Sequence, residues 1–191
     1  MSILPIDTGR YGTKEMLDIF REQKKIDYQL DIEAAAALSQ SEIGLISTSI
    51  ARDIAKVSKS GKITARRIKQ LEAKSDHDTA ALVEALAEKC KKESRPWIHY
   101  GLTSNDLVDT SNSMQMRDAI KIIQPKVSKL SLLLSKNAVK YSNLPAVGRT
   151  HGQHASIISF GLKFANWAAE MSTHLERLDE IKKRVLICKT M

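Results

Sequence analysis

Two long stretches of the chain carry apolar residues at alternating spacings of four and three, which is the pattern of helices packed side by side in a bundle. The first stretch predicts one helix from about Asn105 to Tyr141. Its apolar phase survives Pro125, so we expect this helix to kink and continue past the proline. The second predicts a helix that begins near Phe164 and runs almost to Met191. A fold dominated by sheet is therefore excluded.

Shorter helical segments fill the chain before residue 105, and we see no strand pattern anywhere. Their predicted positions are a helix from Lys14 after a Thr13 cap, one through Ile26–Leu38, one over Ser41–Val57, one from Ala65 after a Thr64 cap, and one across Thr79–Cys90. We expect an ordered loop over Lys92–Thr103 and an irregular segment over Asn143–His154.

The predicted fold class is all-α, with a small N-terminal helical domain over residues 1–104 and the first long helices of a central bundle over 105–191. Two long helices cannot enclose a bundle core by themselves, so further chain or other subunits must bury their apolar stripes. We expect the chain to be cut after Met191 and the protein to be oligomeric.

Composition excludes several classes of protein. The 191 residues are 42% hydrophobic and 27% charged, a globular balance that fits neither disorder nor a fibrous repeat. No apolar run approaches the ~18 residues that a membrane-spanning helix needs, and the first ten residues lack a signal-peptide design. Cys90 and Cys188 are far apart in sequence, so we expect two small buried hydrophobes in a reducing, cytoplasmic compartment.

The net charge of +8 suggests an anionic partner, which could be nucleic acid, an anionic membrane or a small substrate with phosphate and carboxylate groups. The lysines are scattered along helical faces, and only 2 Trp, 4 Tyr and 3 Phe are available to stack on bases. We therefore expect no nucleic acid and no membrane as partner.

Polar side chains that could carry chemistry concentrate at three junctions. At the first, His77 lies between Asp76 and Asp78, and the local sequence favours a helix-capping cluster with one of these aspartates as N-cap over a catalytic role. At the second, Thr103 and Ser104 precede the first long helix, where a carboxylate or phosphate receptor and an ordinary N-cap remain equally open.

The third junction, Gly148 to Ala155, presents Thr150 and His151 between two glycines that let backbone approach a ligand closely. His151 and His154 have a spacing that metal ligands use, but no acidic or thiol partner lies nearby in sequence. We therefore expect no metal.

Two of these runs together resemble the motifs of the adenylosuccinate lyase family, in the fumarase/aspartase superfamily. The runs are His-Tyr-Gly-Leu-Thr-Ser-Asn-Asp-Leu-Val-Asp-Thr from His99 and Gly-Arg-Thr-His-Gly-Gln-His-Ala from Gly148. Arg10-Tyr11-Gly12 and His77-Asp78 add to the resemblance, in the family's order and approximate spacing, so it covers essentially the whole chain as the N-terminal portion of such an enzyme. The corresponding motifs of argininosuccinate lyase, fumarase and carboxymuconate cycloisomerase look different.

The resemblance implies a cofactor-free enzyme of purine biosynthesis. Such an enzyme eliminates fumarate from adenylosuccinate, leaving AMP, and from the succinylated aminoimidazole carboxamide ribotide. It is a homotetramer in which three subunits build each active site, which would account for the unpartnered helices.

The resemblance also implies roles for eight residues. His151 would be the general acid for the leaving nitrogen, and His77 a second active-site histidine that supports it. Thr103 and Ser104 would hold a carboxylate of the succinyl part. The other carried-over binding residues are Thr150 for a hydrogen bond, Arg10 and Tyr11 for the nucleotide phosphate, and Asp78 in the lining. His99, His154 and His174 receive no catalytic role.

Two departures from the family pattern matter. Asp76 stands where many relatives have arginine or a neutral residue, which puts a substrate contact there in doubt. The family's serine-rich loop, which carries the general base, would lie beyond Met191, so we expect the 191-residue chain alone to be inactive. Another lyase of the superfamily and a non-enzymatic helical anion-binding module remain as alternatives.

Overall fold

The computed structural model describes residues 9–190, which form seven α-helices and one β-hairpin. The predicted all-α class is confirmed. The elements in chain order are α1 Lys14–Phe20, α2 Glu22–Glu42, α3 Thr48–Ser58, α4 Ala65–Ser75, α5 Asp78–Ala87, α6 Ser104–Lys140, β1 Pro145–Thr150, β2 Gln153–Ser159 and α7 Phe160–Val185.

Side-chain caps fix where several short helices begin. The hydroxyls of Thr13 and Thr64 accept hydrogen bonds from backbone N–H groups three residues on, which confirms both predicted caps. The prediction of one helix over Ser41–Val57 is wrong. The chain leaves α2 at Glu42, turns through Gly44 at φ +76°, and starts α3 after a Ser47 cap, because a left-handed glycine ends a helix at little cost.

The two long helices differ from their predictions only at the ends. Pro125 lies inside α6, whose 37 residues run on past it, so the predicted continuation is confirmed. The predicted extension of α7 almost to the last residue is wrong, because α7 ends at Val185. The following segment leaves the helical path and its Lys189 N–H donates to the Thr110 hydroxyl at 3.0 Å.

The predicted irregular segment over Asn143–His154 is largely a hairpin, so the absence of strands in the prediction is also wrong. β1 and β2 pair antiparallel, and Thr150 lies opposite Gln153. The two residues between them, His151 and Gly152, have φ of +48° and +75°, as a two-residue type I′ turn requires. Gly148 faces the partner strand so closely that a Cβ there would lie 2.8 Å from the Ser156 carbonyl oxygen.

The base of the hairpin is closed against the end of α6. The Phe160 N–H donates to the Leu144 carbonyl at 2.7 Å, and the Gly161 N–H donates to the Tyr141 carbonyl at 2.9 Å. Rings of Tyr141, Phe160 and Phe164 pack on one another at the same place. These contacts therefore fix the base of the hairpin, where it joins α6 and α7.

The described chain divides into two compact units. One comprises the residues up to Asp118 together with those from Leu186, and the other is Ala119–Val185. The first unit holds the main hydrophobic core, to which α2 to α5 and the start of α6 all contribute. The predicted domain division at residues 104/105 stays a prediction.

The two cysteines have different surroundings. Cys90 is buried in the first unit's core, as predicted, but Cys188 is exposed, so the prediction of a second buried hydrophobe is wrong. Between residues 9 and 190, no helix combines the length with the apolar character needed to cross a membrane.

Candidate active site

Thr103 and Ser104 lie where the loop after α5 enters α6. The Thr103 N–H donates to Asp106 Oδ2 at 2.8 Å, and the Asp106 N–H donates back to the Thr103 carbonyl at 2.9 Å. Asp106, which is fully buried, therefore supplies the side-chain half of a capping box. Among residues 9–190 no hydrogen bond involves the hydroxyls of Thr103 or Ser104. Two half-buried hydroxyls thus stand at the positive end of a long helix, an arrangement suited to an anion.

The loop that carries these hydroxyls is fastened to α2. Glu33 and Gln40 of that helix contact His99 and Tyr100 of the loop. Sequence reasoning missed both α2 residues, since each contact spans 60 or more positions and no local motif marks either residue.

His77 and Asp78 lie at the junction of α4 and α5. His77 is itself the N-cap of α5, because its Nδ1 accepts the Ala80 N–H at 3.3 Å. The prediction that Asp76 or Asp78 is the N-cap is therefore wrong. Asp76 ends α4 in a left-handed conformation, at φ +49°, and Asp78 is the first residue of α5.

The side chains of this junction remain open to a ligand. Those of His77 and Asp78 are 52% and 62% exposed, and His77 Nδ1 lies 3.7 Å from Asp78 Oδ1. Asp78 Oδ1 also accepts the Thr79 N–H at 2.6 Å. The cap holds the imidazole by Nδ1 and does not use Nε2.

Thr150 and His151 form the tip of the hairpin. Both are exposed, and His151 adopts the left-handed conformation beside Gly152. The tip is braced by Arg149, whose Nη1 donates to the Gly152 carbonyl at 3.2 Å. Within the described part of the chain, no hydrogen bond engages the His151 ring, so both of its nitrogens are free to meet a ligand.

Arg10 and Tyr11 lie just before α1. The Arg10 guanidinium carbon is 5.5 Å from the centroid of the Tyr11 ring, and Tyr11 is 56% exposed. A cation over an exposed aromatic ring leaves the guanidinium fork available for phosphate oxygens.

The structure places these candidates in separate local groups. Arg10, Tyr11, His77, Asp78, Thr103 and Ser104 belong to the first compact unit, and Thr150 and His151 belong to the second. Among the described residues of the first unit, no hydrogen bond joins one of its three groups to another.

Burial explains why two side chains of the first unit, Cys90 and Tyr28, have strongly raised pKa values. Burial, reinforced by the nearby Asp53 carboxylate, raises the pKa of the Cys90 thiol to about 12. Such a thiol is not a nucleophile at neutral pH. Burial and a 2.6 Å hydrogen bond to Asp118 raise the pKa of Tyr28 to about 12. The Tyr28 contact joins α2 to α6 and is structural.

We searched the described residues for side chains that could bind a metal ion. Between residues 9 and 190, the structure has no group of three or more His, Cys, Asp or Glu side chains arranged to hold a metal ion.

Comparison with known proteins decides the family. The model of a family described as "Lyase" matches residues 9–191. The chain belongs to the lyase family. An adenylosuccinate lyase of Methanocaldococcus jannaschii is 43% identical over 187 residues, covering 98% of this chain and 40% of that protein. The resemblance inferred from the motifs is thereby confirmed.

Other relatives within the lyase family differ in chemistry. An N-acetyl-S-(2-succino)cysteine lyase of Enterococcus italicus is 39% identical, covering 93% of this chain and 39% of that protein. The crystal structure of a 3-carboxy-cis,cis-muconate lactonizing enzyme from Pseudomonas putida superposes with a TM-score of 0.90 at 29% identity, covering 97% of this chain and 43% of that one. The chain spans about 40% of the length of the curated relatives it matches.

Proposed function

We propose that the complete protein containing this chain is an adenylosuccinate lyase. It eliminates fumarate from adenylosuccinate, giving AMP, and from the succinylated aminoimidazole carboxamide ribotide of purine biosynthesis. The observation that carries this proposal is the presentation of His151, an unengaged imidazole at an exposed hairpin tip next to Thr150. The 43% identity to an adenylosuccinate lyase supports the choice of substrate.

The proposed reaction is a β-elimination. A base removes the proton adjacent to a carboxylate, the electron pair forms the C=C bond of fumarate, and the C–N bond breaks. His151 delivers its proton to the departing nitrogen, which is a poor leaving group without it. His77 supports this step, as the resemblance implies. The base is a serine supplied from outside these 191 residues, so this chain alone is inactive.

Binding residues in this proposal match the charges of the substrate. Thr103 and Ser104 donate to a succinyl carboxylate at the N-terminus of α6, where the helix dipole adds to the attraction. Arg10 and Tyr11 hold the phosphate, Thr150 adds a hydrogen bond, and Asp78 lines the site. The net charge of +8 suits a substrate that carries phosphate and two carboxylates.

Assembly is part of the proposal, because the resemblance implies active sites that are shared between subunits. We propose a cytoplasmic homotetramer with shared active sites and no cofactor. Large apolar side chains support it by lying exposed on the second unit's long helices: Leu130, Leu132, Leu133, Val139, Trp167 and Ile181. Such a surface on a monomer marks an interface.

Turnover by the purified complete protein tests the proposal. We expect adenylosuccinate to be converted to AMP and fumarate, followed by the change in nucleotide absorbance. A protein that binds AMP but releases no fumarate from either succinyl nucleotide would overturn the proposal and leave the helical anion-binding module or a lyase that acts on another substrate.

A second lyase activity is favoured by one relative. The 39% identity to an N-acetyl-S-(2-succino)cysteine lyase makes C–S cleavage the strongest alternative. The ratio of kcat/KM for adenylosuccinate to kcat/KM for N-acetyl-S-(2-succino)cysteine decides between the two. A ratio well below one would overturn the purine assignment and keep the fumarate-releasing reaction class.

A further inference from the structure

Glu33 is a buried carboxylate in the middle of α2, on a helix that carries none of the candidate catalytic residues. Its side chain is 2% exposed. A buried carboxylate costs stability unless it is hydrogen-bonded, and a packed apolar residue at such a site is often as stable or more so. The position therefore needs an explanation other than core packing.

Both carboxylate oxygens of Glu33 are directed at one residue of the loop that leads to Thr103 and Ser104. Oε2 accepts the backbone N–H of His99 at 2.9 Å, and Oε1 lies 2.6 Å from His99 Nδ1. Since a carboxylate only accepts hydrogen bonds, these contacts assign the ring proton to Nδ1 and leave Nε2 at the other edge of the ring.

His99 needs this support because its backbone is left-handed, with φ +60°. That conformation is unfavourable for a residue other than glycine, because its Cβ crowds the neighbouring carbonyl oxygen. At this turn the chain leaves the short 3-10 segment Arg95–Trp97 and heads for the N-terminus of α6, five residues later at Ser104. The turn thus sets the direction in which Thr103 and Ser104 are presented.

Gln40 fastens the same loop one residue further on. It lies seven positions after Glu33, hence on the same face of α2, and its Nε2 donates to the Tyr100 carbonyl at 2.6 Å. The Tyr100 ring packs edge-on against Trp97, with centroids 5.1 Å apart. One helix face therefore holds two successive loop residues through side chains.

We propose that Glu33, assisted by Gln40, is a positioning residue for carboxylate binding: it holds the left-handed turn at His99 and so places the Thr103 and Ser104 hydroxyls for a succinyl carboxylate. The inference deepens the proposed function and rests on it for the identity of the ligand. Glu33 touches no substrate in this scheme and acts only through the loop.

Glu33→Ala and Glu33→Gln in the complete protein test the proposal, with fumarate as the binding probe in calorimetry and adenylosuccinate as the substrate. The alanine variant should weaken fumarate affinity and raise KM by about 10- to 100-fold, because displacement of a binding group by about 1 Å has effects of that size. The glutamine variant should recover most of both, since its amide oxygen still accepts the His99 N–H and its amide nitrogen can donate to Nδ1 once the ring proton moves to Nε2.

Asp53→Ala is the matched control. The Asp53 carboxylate accepts the Lys91 N–H at 2.9 Å, which is the same kind of side-chain anchor on a segment outside the candidate site. It should lower stability and leave fumarate affinity unchanged. If Glu33→Ala does not fold, Gln40→Ala takes its place with an expected ~3- to 10-fold loss of affinity, the equivalent of one hydrogen bond.

The outcomes separate this inference from the proposed function. A wild-type protein that binds fumarate but does not turn over adenylosuccinate would defeat the function, and a weakened Glu33→Ala variant would still support the positioning role. Unchanged fumarate affinity in Glu33→Ala, or a glutamine variant no better than alanine, would overturn it. So would a crystal structure of Glu33→Ala in which the backbone from His99 to Ser104 has not moved.

Discussion

The loop before α6 and the tip of the hairpin both present candidate functional side chains, but they are supported in opposite ways. Two buried carboxylates hold the loop. Glu33 accepts the N–H of His99 at the left-handed turn, and Asp106 accepts the N–H of Thr103 at the end of the loop. Among residues 9–190, no buried side chain donates a hydrogen bond to the tip or accepts one from it. His151 is exposed. The turn that carries it is held by the pairing of the two strands and by the hydrogen bond from Arg149 to the Gly152 carbonyl.

The difference suits the two different roles that we propose, which are ligand binding at the loop and proton donation at the tip. Groups that bind a fixed negative charge gain from being held in place before the ligand arrives, since no reorganisation is then needed. A proton donor at an exposed tip takes its final environment from whatever packs around it, which in the proposed tetramer is another subunit. Substitutions at the two places should therefore have different kinetic signatures.

The largest expected effect is at the tip. His151→Gln removes the proposed proton donor and should lower kcat for adenylosuccinate by about 10²- to 10⁴-fold, with a small change in KM. Cleavage of N-acetyl-S-(2-succino)cysteine should suffer less, because a thiolate leaves without being protonated. His174→Gln, on α7 beside Glu170, is the control and should match wild type. Equal losses on both substrates would contradict the general-acid role.

The next effect is at the loop. Replacing Thr103 by Val and Ser104 by Ala removes two hydroxyl donors and keeps the side-chain volumes similar. Because a hydrogen bond to a charged group contributes about 1.5–3 kcal/mol, KM and the fumarate dissociation constant should rise by about 10²-fold or more. The unfolding midpoint should stay close to that of wild type, since Asp106 caps the backbone. An unchanged KM would remove the carboxylate-receptor role.

A smaller effect is expected when the same backbone strain is introduced into the loop and into the hairpin tip. Gly101 and Gly152 have φ of +72° and +75°, so alanine at either costs about 1–2 kcal/mol. Gly101→Ala should lower the free energy of unfolding of the first unit by that amount and so lower its urea midpoint, whereas Gly152→Ala should mainly fray the exposed tip. Trp97 and Trp167 lie in different units, and their 5-fluorotryptophan resonances, assigned by single substitution to Phe, report each midpoint. Equal shifts would contradict the comparison.

The smallest effect concerns alkaline pH. Burial raises the pKa of Cys90 and of Tyr28 to about 12, above their ordinary values of 9.0 and 10.0. Both groups therefore stay neutral in the folded protein when the unfolded chain would lose their protons. Their contribution to stability is complete below pH 9 and falls as the pH rises from 9 towards 12.

The first unit should accordingly lose about 1 kcal/mol through Cys90 between pH 7.5 and pH 10. Urea unfolding followed at Trp97 measures this loss. Cys90→Ala should reduce the pH dependence, and the exposed Cys188→Ser should not alter it. A Cys90→Ala variant as alkali-sensitive as wild type would contradict the assignment.

Helices and their caps were predictable because their signals are local. Thr13, Thr64 and the apolar period across Pro125 each lie within one helix, and each prediction is confirmed. The break between α2 and α3 was also signalled locally, by Gly44. The hairpin was missed because β2 is exposed along most of its length and the half-buried positions of β1 are only Ala146 and Gly148, so neither strand shows a clear apolar alternation in sequence. The His-Gly turn was its main available signal.

The motifs identified where the candidate groups lie, but not what supports them. Glu33 contacts a residue 66 positions away, and an isolated glutamate in a helical pattern reads as a solvated face. The capping roles of His77 and Asp106 depend on which of several neighbouring polar residues starts a helix, which the tertiary structure decides. Contacts between distant residues carry no sequence period and had to come from the structure.

Because the base of the hairpin is fixed, the alignment of α6 with α7 and the length of the hairpin could evolve independently. Backbone hydrogen bonds from Phe160 to Leu144 and from Gly161 to Tyr141 fix where α6 and α7 meet, whatever happens further out. A pair of residues gained or lost within the strands would change how far the imidazole reaches and leave the alignment of the helices untouched. A family built in this way can adjust its reach to substrates of different size without rebuilding its scaffold.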